Sequence, residues 1–214
     1  MPFARTAFYA FKQAVNEADK KDEGFVTLAA LAETLSTPAW AGLTDPSSPL
    51  GEFLLSDAFK NGKKGLSYDQ IDVDYLILFG VLHCRDKSTP QRKAVGLYEV
   101  LQDGGLQNHQ HISAGDKDLE PVFQKLCEFA TIDVFEAAKL KTVNYSEADK
   151  NKLTESVETV LEEWLDFMYG NKSTLSNDAW MEKILSREAH WVFNGADLRA
   201  KVFEVAGVTV THMR

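Results

Sequence analysis

Apolar residues recur every three or four positions along most of the chain, which is the spacing of one face of an α-helix. The opening segment shows this spacing at Phe3, Ala4, Ala7, Phe8, Phe11 and Val15. No long run alternates apolar and polar residues, as a half-buried strand would. Thirteen glycines and six prolines lie mostly between the periodic stretches, where they favour turns and loops. The pattern therefore predicts an all-α protein.

Two further stretches stand out from this pattern. Residues 73–84 are apolar on nearly every side, too short to span a bilayer and too apolar for a surface helix, so we expect them at the centre of the fold. Residues 36–49 collect proline, serine and threonine, and we expect a long loop there. Ser146 and Asp149 fit a capping box ahead of the clearest helix of the chain.

Composition narrows the classes of function. The chain has 214 residues, of which 44% are hydrophobic and 26% charged, and this is typical of a globular protein with a sizeable core. Its net charge of −9 would repel phosphate backbones, so a nucleic-acid partner is not expected. No apolar run is long enough for a transmembrane segment, and the start lacks the order of a secretory signal, so we expect a cytoplasmic protein. Cys84 and Cys127 are interpreted as buried thiols.

One twelve-residue segment, DKKDEGFVTLAA, has the layout of a calcium-binding EF-hand loop. With Asp19 at its first position, Gly24 falls at the sixth and Val26 at the eighth. Glycine permits the sharp turn of such a loop, and the apolar eighth residue pairs with a neighbouring loop. The segment therefore predicts a helix-loop-helix unit.

Three weaker loops follow the first along the chain. They read KNGKKGLSYDQ, DGGLQNHQHIS and YGNKSTLSND, and their predicted pairing residues are Leu66, Ile112 and Leu175. Together with Val26, these residues would join four loops into two pairs.

One part of the chain resembles the stretch between the second and third hands of calcineurin-B-like and recoverin-like EF-hand proteins. It reads YLILFGVLHCRDKSTPQRKAVGLYEVLQDGG and is followed shortly by HISAGDKDL. In that family a long apolar helix leads through a polar linker to a helix that ends in aspartate, and the next loop closes on Ile-Ser. The resemblance covers residues 8–130, and residues 145–206 match only by helical pattern and loop position. It implies two EF-hand-like lobes of paired helix-loop-helix units, residues 1–90 and 91–214.

The ligand positions of the first loop are only partly filled. Asp19, Glu23 and the carbonyl of Phe25 could hold an ion, but Lys21 stands at the third position and Ala30 at the twelfth, where calcium needs a bidentate glutamate. We therefore expect at most a vestigial calcium site here and no cofactor.

The other loops offer still less to a cation. Lys60, Lys63 and Lys64 lie where a divalent ion would sit in the second loop, and like charges a few ångströms apart oppose binding. The third loop keeps Asp103 and the fourth Asp178, each among neutral or histidine side chains. Calcium is not expected to bind any of these three loops.

This chain resembles EF-hand proteins but lacks most of their calcium ligands. The resemblance therefore implies a non-catalytic adaptor or structural subunit that binds proteins independently of calcium. Such a lobe would take a partner's amphipathic helix in an apolar groove, and the setting could be a cytoskeletal or ciliary assembly. The candidate groove residues are Phe53, Leu54, Leu76, Phe79, Leu82 and His83. The alternative for each of them is a place in the core.

Two other functions stay open on the sequence. The loop at residues 19–30 could still work as a calcium sensor, and the chain could be an enzyme on an unrelated helical bundle. His109 and His111 could hold a metal only with a third ligand, which is not evident. His83 and Cys84 are neighbours on a predicted helix and therefore point in different directions, which argues against a thiol enzyme.

Overall fold

The helices of the protein follow the apolar pattern of the sequence. The computed structural model describes residues 1–60, 65–85, 90–101, 111–115, 119–133 and 146–208. The α-helices are α1 (Phe8–Ala18), α2 (Leu28–Thr34), α3 (Pro49–Leu54), α4 (Val73–His83), α5 (Gln91–Leu101), α6 (Leu119–Thr131), α7 (Glu147–Tyr169), α8 (Asn177–Ile184) and α9 (Gly195–Ala206). Short 3-10 helices cover Phe3–Arg5, Pro38–Thr44, Asp57–Phe59 and His190–Phe193. Most of the described residues are helical, as the sequence predicts.

Four strands of three residues each precede helices. They are β1 (Phe25–Thr27), β2 (Gln70–Asp72), β3 (His111–Ser113) and β4 (Thr174–Ser176). β1 pairs antiparallel with β2, and β3 pairs antiparallel with β4. In three of the four cases the strand's last residue caps the helix that follows, because the side chains of Thr27, Asp72 and Ser176 accept hydrogen bonds from the first helical turn.

The register of these ladders corrects one prediction. Val26 lies opposite Ile71, so Leu66 is not the pairing residue of the second loop. A polar turn, in which the Gln70 amide donates to the Ser67 carbonyl at 3.2 Å, separates Leu66 from the strand. Ile71 is fully buried and Leu66 is only half-buried, so burial selects the later residue.

The second ladder joins the two residues that the sequence singles out. Ile112 lies opposite Leu175, and both side chains are buried. The amide of Ala114 extends the contact by donating to the carbonyl of Ser173 at 3.0 Å.

Helix α4 lies at the centre of the core, which confirms the expectation for residues 73–84. Its residues from Leu76 to Leu82 are all buried, and it contacts α1, α5, α6 and the 3-10 helix at His190–Phe193. The Phe79 ring lies 4.7 Å from that of Phe3 and 5.2 Å from that of Phe129. Side chains from both sides of residue 90 therefore share one hydrophobic core.

The prediction of an irregular loop at residues 36–49 was wrong in part. A 3-10 helix at Pro38–Thr44 buries Trp40, whose indole N–H donates to the Thr6 hydroxyl at 3.0 Å. Ser48 then caps α3 with its hydroxyl, and Pro49 takes the first helical position. Proline suits that position because its fixed φ is helical and its missing N–H would have no partner there.

Two other sequence expectations have clear outcomes. The capping box at Ser146 and Asp149 is confirmed, with both reciprocal hydrogen bonds present at the start of α7. Among the described residues, no helix combines the length and the apolar character needed to cross a bilayer.

Candidate functional site

The first loop is organised by the carboxylate of Asp19 at the end of α1. One oxygen accepts the amide of Glu23 and the other accepts the amide of Gly24, each at 2.9 Å. The chain turns back through positive φ angles at Asp22 (55°) and Gly24 (75°), a conformation that Asp tolerates and Gly adopts freely. The carbonyl of Gly24 then accepts the amide of Val73 at 3.2 Å and so ties the loop to α4.

The sequence-predicted ligands of this loop do not form a complete metal site. The ammonium of Lys21 lies 3.9 Å from the carboxylate of Glu23. Ala30 stands at the twelfth position, and its backbone amide donates to the Thr27 hydroxyl, the N-cap of α2, at 3.3 Å. The nearest later carboxylate, that of Glu33, is exposed on α2. Nowhere in the described part of the chain do three or more His, Cys, Asp or Glu side chains cluster as metal ligands would.

The second loop contains a cation of its own. The ammonium of Lys60 donates to the carbonyls of Ser67 and Tyr68, each at 2.9 Å, and also to the carbonyl of Gln70. An ammonium group has three N–H donors, so these carbonyls satisfy all of them. Lys63 and Lys64, the other lysines of this loop, lie outside the described residues.

The turn that supplies these carbonyls is held by its own side chains. The Ser67 hydroxyl donates to Asp69 at 2.6 Å, and the Ser67 amide donates to the side-chain oxygen of Gln70 at 2.8 Å. The hydrogen bond from Ser67 is the main cause that lowers the pKa of Asp69. Burial lowers the pKa of Lys60, and the negative charges of Asp69 and Asp57 oppose that shift. The loop thus holds its cation with carbonyl dipoles and two nearby carboxylates.

The fourth loop has mostly neutral side chains at its predicted ligand positions. Asn171 and Ser173 are exposed before β4, and Asp178 is exposed in the first turn of α8. The side-chain oxygen of Asn177 accepts the Tyr98 hydroxyl from α5, and burial raises the pKa of that phenol. Asp103 and His109 of the third loop lie outside the described residues, as does the side chain of His111.

The predicted groove residues lie in the core, which corrects the expectation of an open groove there. Phe53, Leu54, Leu76, Phe79 and Leu82 are buried, and His83 is mostly buried. The Phe53 ring packs 5.2 Å from Phe79 and 5.0 Å from Phe59, so the faces that would line a groove already contact each other. The physical reason is the central place of α4, which helices cover on several sides.

Sequence reasoning missed a polar junction around His83. Its Nε2 lies 3.3 Å from the carbonyl of Phe129 near the end of α6, and Arg199 from α9 donates to the next carbonyl, that of Ala130, at 3.1 Å. The pKa of His83 is lowered to about 4, mainly by burial and also by the charges of Arg199 and Lys93, while the hydrogen bond to the Phe129 carbonyl opposes the shift. The imidazole is therefore neutral near pH 7, with Nε2–H as the donor.

The side chains of Cys84 and Cys127 are buried in the hydrophobic core. Burial raises the pKa of Cys84 to about 12 and also raises the pKa of Cys127. A nucleophilic cysteine needs a lowered pKa, because the thiolate is the reactive form. Both thiols are therefore protonated near neutral pH and suited to the core.

Comparisons of the chain with models of known protein families, with curated proteins and with solved structures found no match.

Proposed function

We propose that this chain is an EF-hand-like protein that acts as a non-catalytic adaptor or structural subunit and binds its protein partner independently of calcium. The observation that carries the proposal is the first loop pair. Its strands are joined at Val26 and Ile71, while the second loop already holds the ammonium of Lys60 against its carbonyls. A loop pair of this kind keeps its geometry without a bound ion.

The helix and strand order supports the EF-hand-like part of the proposal. In an EF-hand a loop leads through a short strand into the exit helix, and loops meet in pairs. Here β1 leads into α2, β2 into α4 and β4 into α8, and the ladders join the first loop to the second and the third to the fourth. The two proposed lobes, residues 1–90 and 91–214, each contain one ladder.

The ligand chemistry supports calcium independence. Calcium prefers six to eight oxygen ligands with several carboxylates among them. The first loop offers Asp19, whose two oxygens already accept backbone amides, and Glu23, which faces Lys21. The second loop presents an ammonium where an ion would need oxygens, and like charges at such distances repel.

We propose protein binding as the function of this framework. Among the described residues, the titratable groups with the largest pKa shifts are His83, Cys84 and Cys127, whose side chains are largely buried. We propose a partner protein that presents an amphipathic helix, within a cytoplasmic cytoskeletal or ciliary assembly. This setting is proposed from the resemblance to EF-hand relatives.

Calcium titration distinguishes the adaptor from a sensor. We expect isothermal titration of the purified chain with calcium to give no saturable heat, and its melting temperature to be the same in calcium and in EGTA. A saturable heat in the micromolar range would instead favour a sensor at residues 19–30. Its loss in Asp19→Ala would then assign the heat to the first loop.

Purification of the tagged chain from its native cells, in calcium and in EGTA, tests partner binding. We expect the same partner in both buffers, and the complex rebuilt from purified components to have equal affinity in both. Binding only in calcium, or no binding between the purified components, would contradict the proposal.

A further inference from the structure

We propose that the second loop is a cation site whose permanent occupant is the ammonium of Lys60, and that removal of this side chain leaves a site for a small primary ammonium ion. The inference builds on the proposed EF-hand-like framework and is independent of partner binding. Its test therefore needs neither calcium nor a partner.

The donors and acceptors of this site match in number and kind. Three N–H groups meet the carbonyl oxygens of Ser67, Tyr68 and Gln70, all from one turn and the strand it enters. Hydrogen bonds from a charged donor are stronger than those between neutral groups. Without the ammonium, these three carbonyls would lose a shared charged donor.

The place of the site within the loop agrees with that of a bound ion. Gln70 directly precedes the pairing residue Ile71, as Phe25 directly precedes Val26 in the first loop. In an EF-hand the residue before the pairing position, at position seven, supplies the backbone carbonyl ligand. The ammonium of Lys60 thus engages the carbonyl that would otherwise bind a metal ion.

The two loops of this pair are closed by opposite charges. Asp19 gathers two backbone amides in the first loop, and Lys60 gathers three backbone carbonyls in the second. The Asp19 carboxylate accepts two amides of its turn, and the Lys60 ammonium adds a charged donor to the carbonyls of its own turn, where the Ser67 carbonyl also accepts the Gln70 amide at 3.2 Å. Because Gln70 is also a ladder residue opposite Thr27, the ammonium directly supports the strand pairing.

Chemical rescue provides the test. In Lys60→Ala, n-propylammonium replaces the missing part of the side chain, whereas tetramethylammonium has the same charge and no N–H donor. We expect Lys60→Ala to melt about 5 °C below the wild type. We expect n-propylammonium at about 100 mM to raise the melting temperature of Lys60→Ala. We expect the same concentration of tetramethylammonium to have no such effect.

Lys172→Ala is the matched control, because Lys172 is an exposed lysine in the turn before β4. We expect this variant and the wild type to melt alike and to respond equally to both ammonium salts. A wild-type melting temperature for Lys60→Ala, or equal rescue by tetramethylammonium, would overturn the proposal.

A spectroscopic measurement on the wild type covers the case in which Lys60→Ala does not fold. An ammonium held by three carbonyls exchanges its protons slowly, so we expect a resolved ¹⁵N–¹H signal from a lysine side chain at low temperature. The signal should be absent in Lys60→Met and present in Lys172→Ala. Lys93 and Lys125 are also buried and hydrogen-bonded, so the signal of Lys60 is the one lost in Lys60→Met; if no wild-type signal is lost in that variant, the site is not occupied as proposed.

Discussion

Single ionised side chains organise both loops of the first ladder. Asp19 accepts two backbone amides, and Lys60 donates to three backbone carbonyls. The sequence predicts Asp19 as a loop residue from its spacing to Gly24. It also predicts that lysines keep divalent cations out of the second loop. It does not reveal that backbone carbonyls bind Lys60, because the turn at residues 67–70 has no characteristic spacing.

Asp19→Ala tests the role of the carboxylate in the first loop. The change leaves the amides of Glu23 and Gly24 without their acceptor, and we expect the free energy of unfolding to fall by about 1 to 2 kcal/mol. Urea denaturation of the wild type and the variant measures this loss.

Glu17→Ala is the control for that experiment, since it removes the same charge from an exposed position on α1. We expect it to change the unfolding free energy by less than about 0.5 kcal/mol. Equal losses in both variants would mean that net charge, and not the hydrogen bonds of Asp19, accounts for the effect.

At the scale of elements, helical periodicity is the most informative signal in this chain. The apolar segment at residues 73–84 predicts the central position of α4, and the capping box predicts the start of α7. The partner of Val26 is harder to predict, because Gly65 and Leu66 match the loop pattern while Ile71 directly precedes an apolar helix. Burial of Ile71 under that helix decides the register, and local sequence does not contain this information.

The packing of α1 on α4 depends on Gly80. A Cβ at this position would lie 2.6 Å from the Phe11 ring, which is itself fully buried. We expect Gly80→Ala to lower the unfolding free energy by about 1 to 3 kcal/mol through overpacking, even though alanine is the better helix former. Thermal or urea denaturation measures the change.

Gly115→Ala provides the comparison, because a Cβ at that exposed position meets no atom within 4 Å. We expect little change there. We expect the double variant Gly80→Ala/Phe11→Leu to lose less unfolding free energy than the sum of the two single losses, since the smaller side chain at position 11 leaves room for the new methyl group. Strictly additive losses would argue against contact between the two helices at this point.

At the scale of the whole molecule, the junction around His83 joins three helices. His83 of α4 and Arg199 of α9 reach successive carbonyls at the end of α6, and a Cβ on Gly195 would lie 2.7 Å from the imidazole. Because α4 lies in the first predicted lobe and α6 and α9 lie in the second, this junction connects the two predicted lobes. Its residues are distant in sequence, so no local pattern predicts it.

The junction makes stability depend on pH. Burial holds the pKa of His83 at about 4 in the folded chain, against 6.5 as its ordinary value, and Arg199 and Lys93 add to the shift. As the pH falls, the unfolded chain therefore binds a proton at His83 before the folded chain does. The stabilisation is complete above pH 6.5 and is lost as the pH falls towards 4, with a loss of about 2 kcal/mol between pH 7 and pH 5.

Urea midpoints at pH 7 and pH 5 check this dependence. His83→Gln keeps an N–H donor for the Phe129 carbonyl but cannot be protonated, so we expect the difference between the two pH values to shrink. His190→Gln, at an exposed position, should leave it unchanged. The same pH difference in all three proteins would assign the effect to other groups.

The covalent attachment of Lys60 to the chain has a consequence for how the second loop is occupied. A free ion fills its loop by mass action, so occupancy rises and falls with the concentration in the cell. The ammonium of Lys60 is present at a fixed effective concentration, set only by the length of its side chain. Because Lys60 is covalently part of the chain, a chelator cannot remove its ammonium from the loop, and on the proposed role the occupancy of the second loop does not follow the concentration of an ion in the cell.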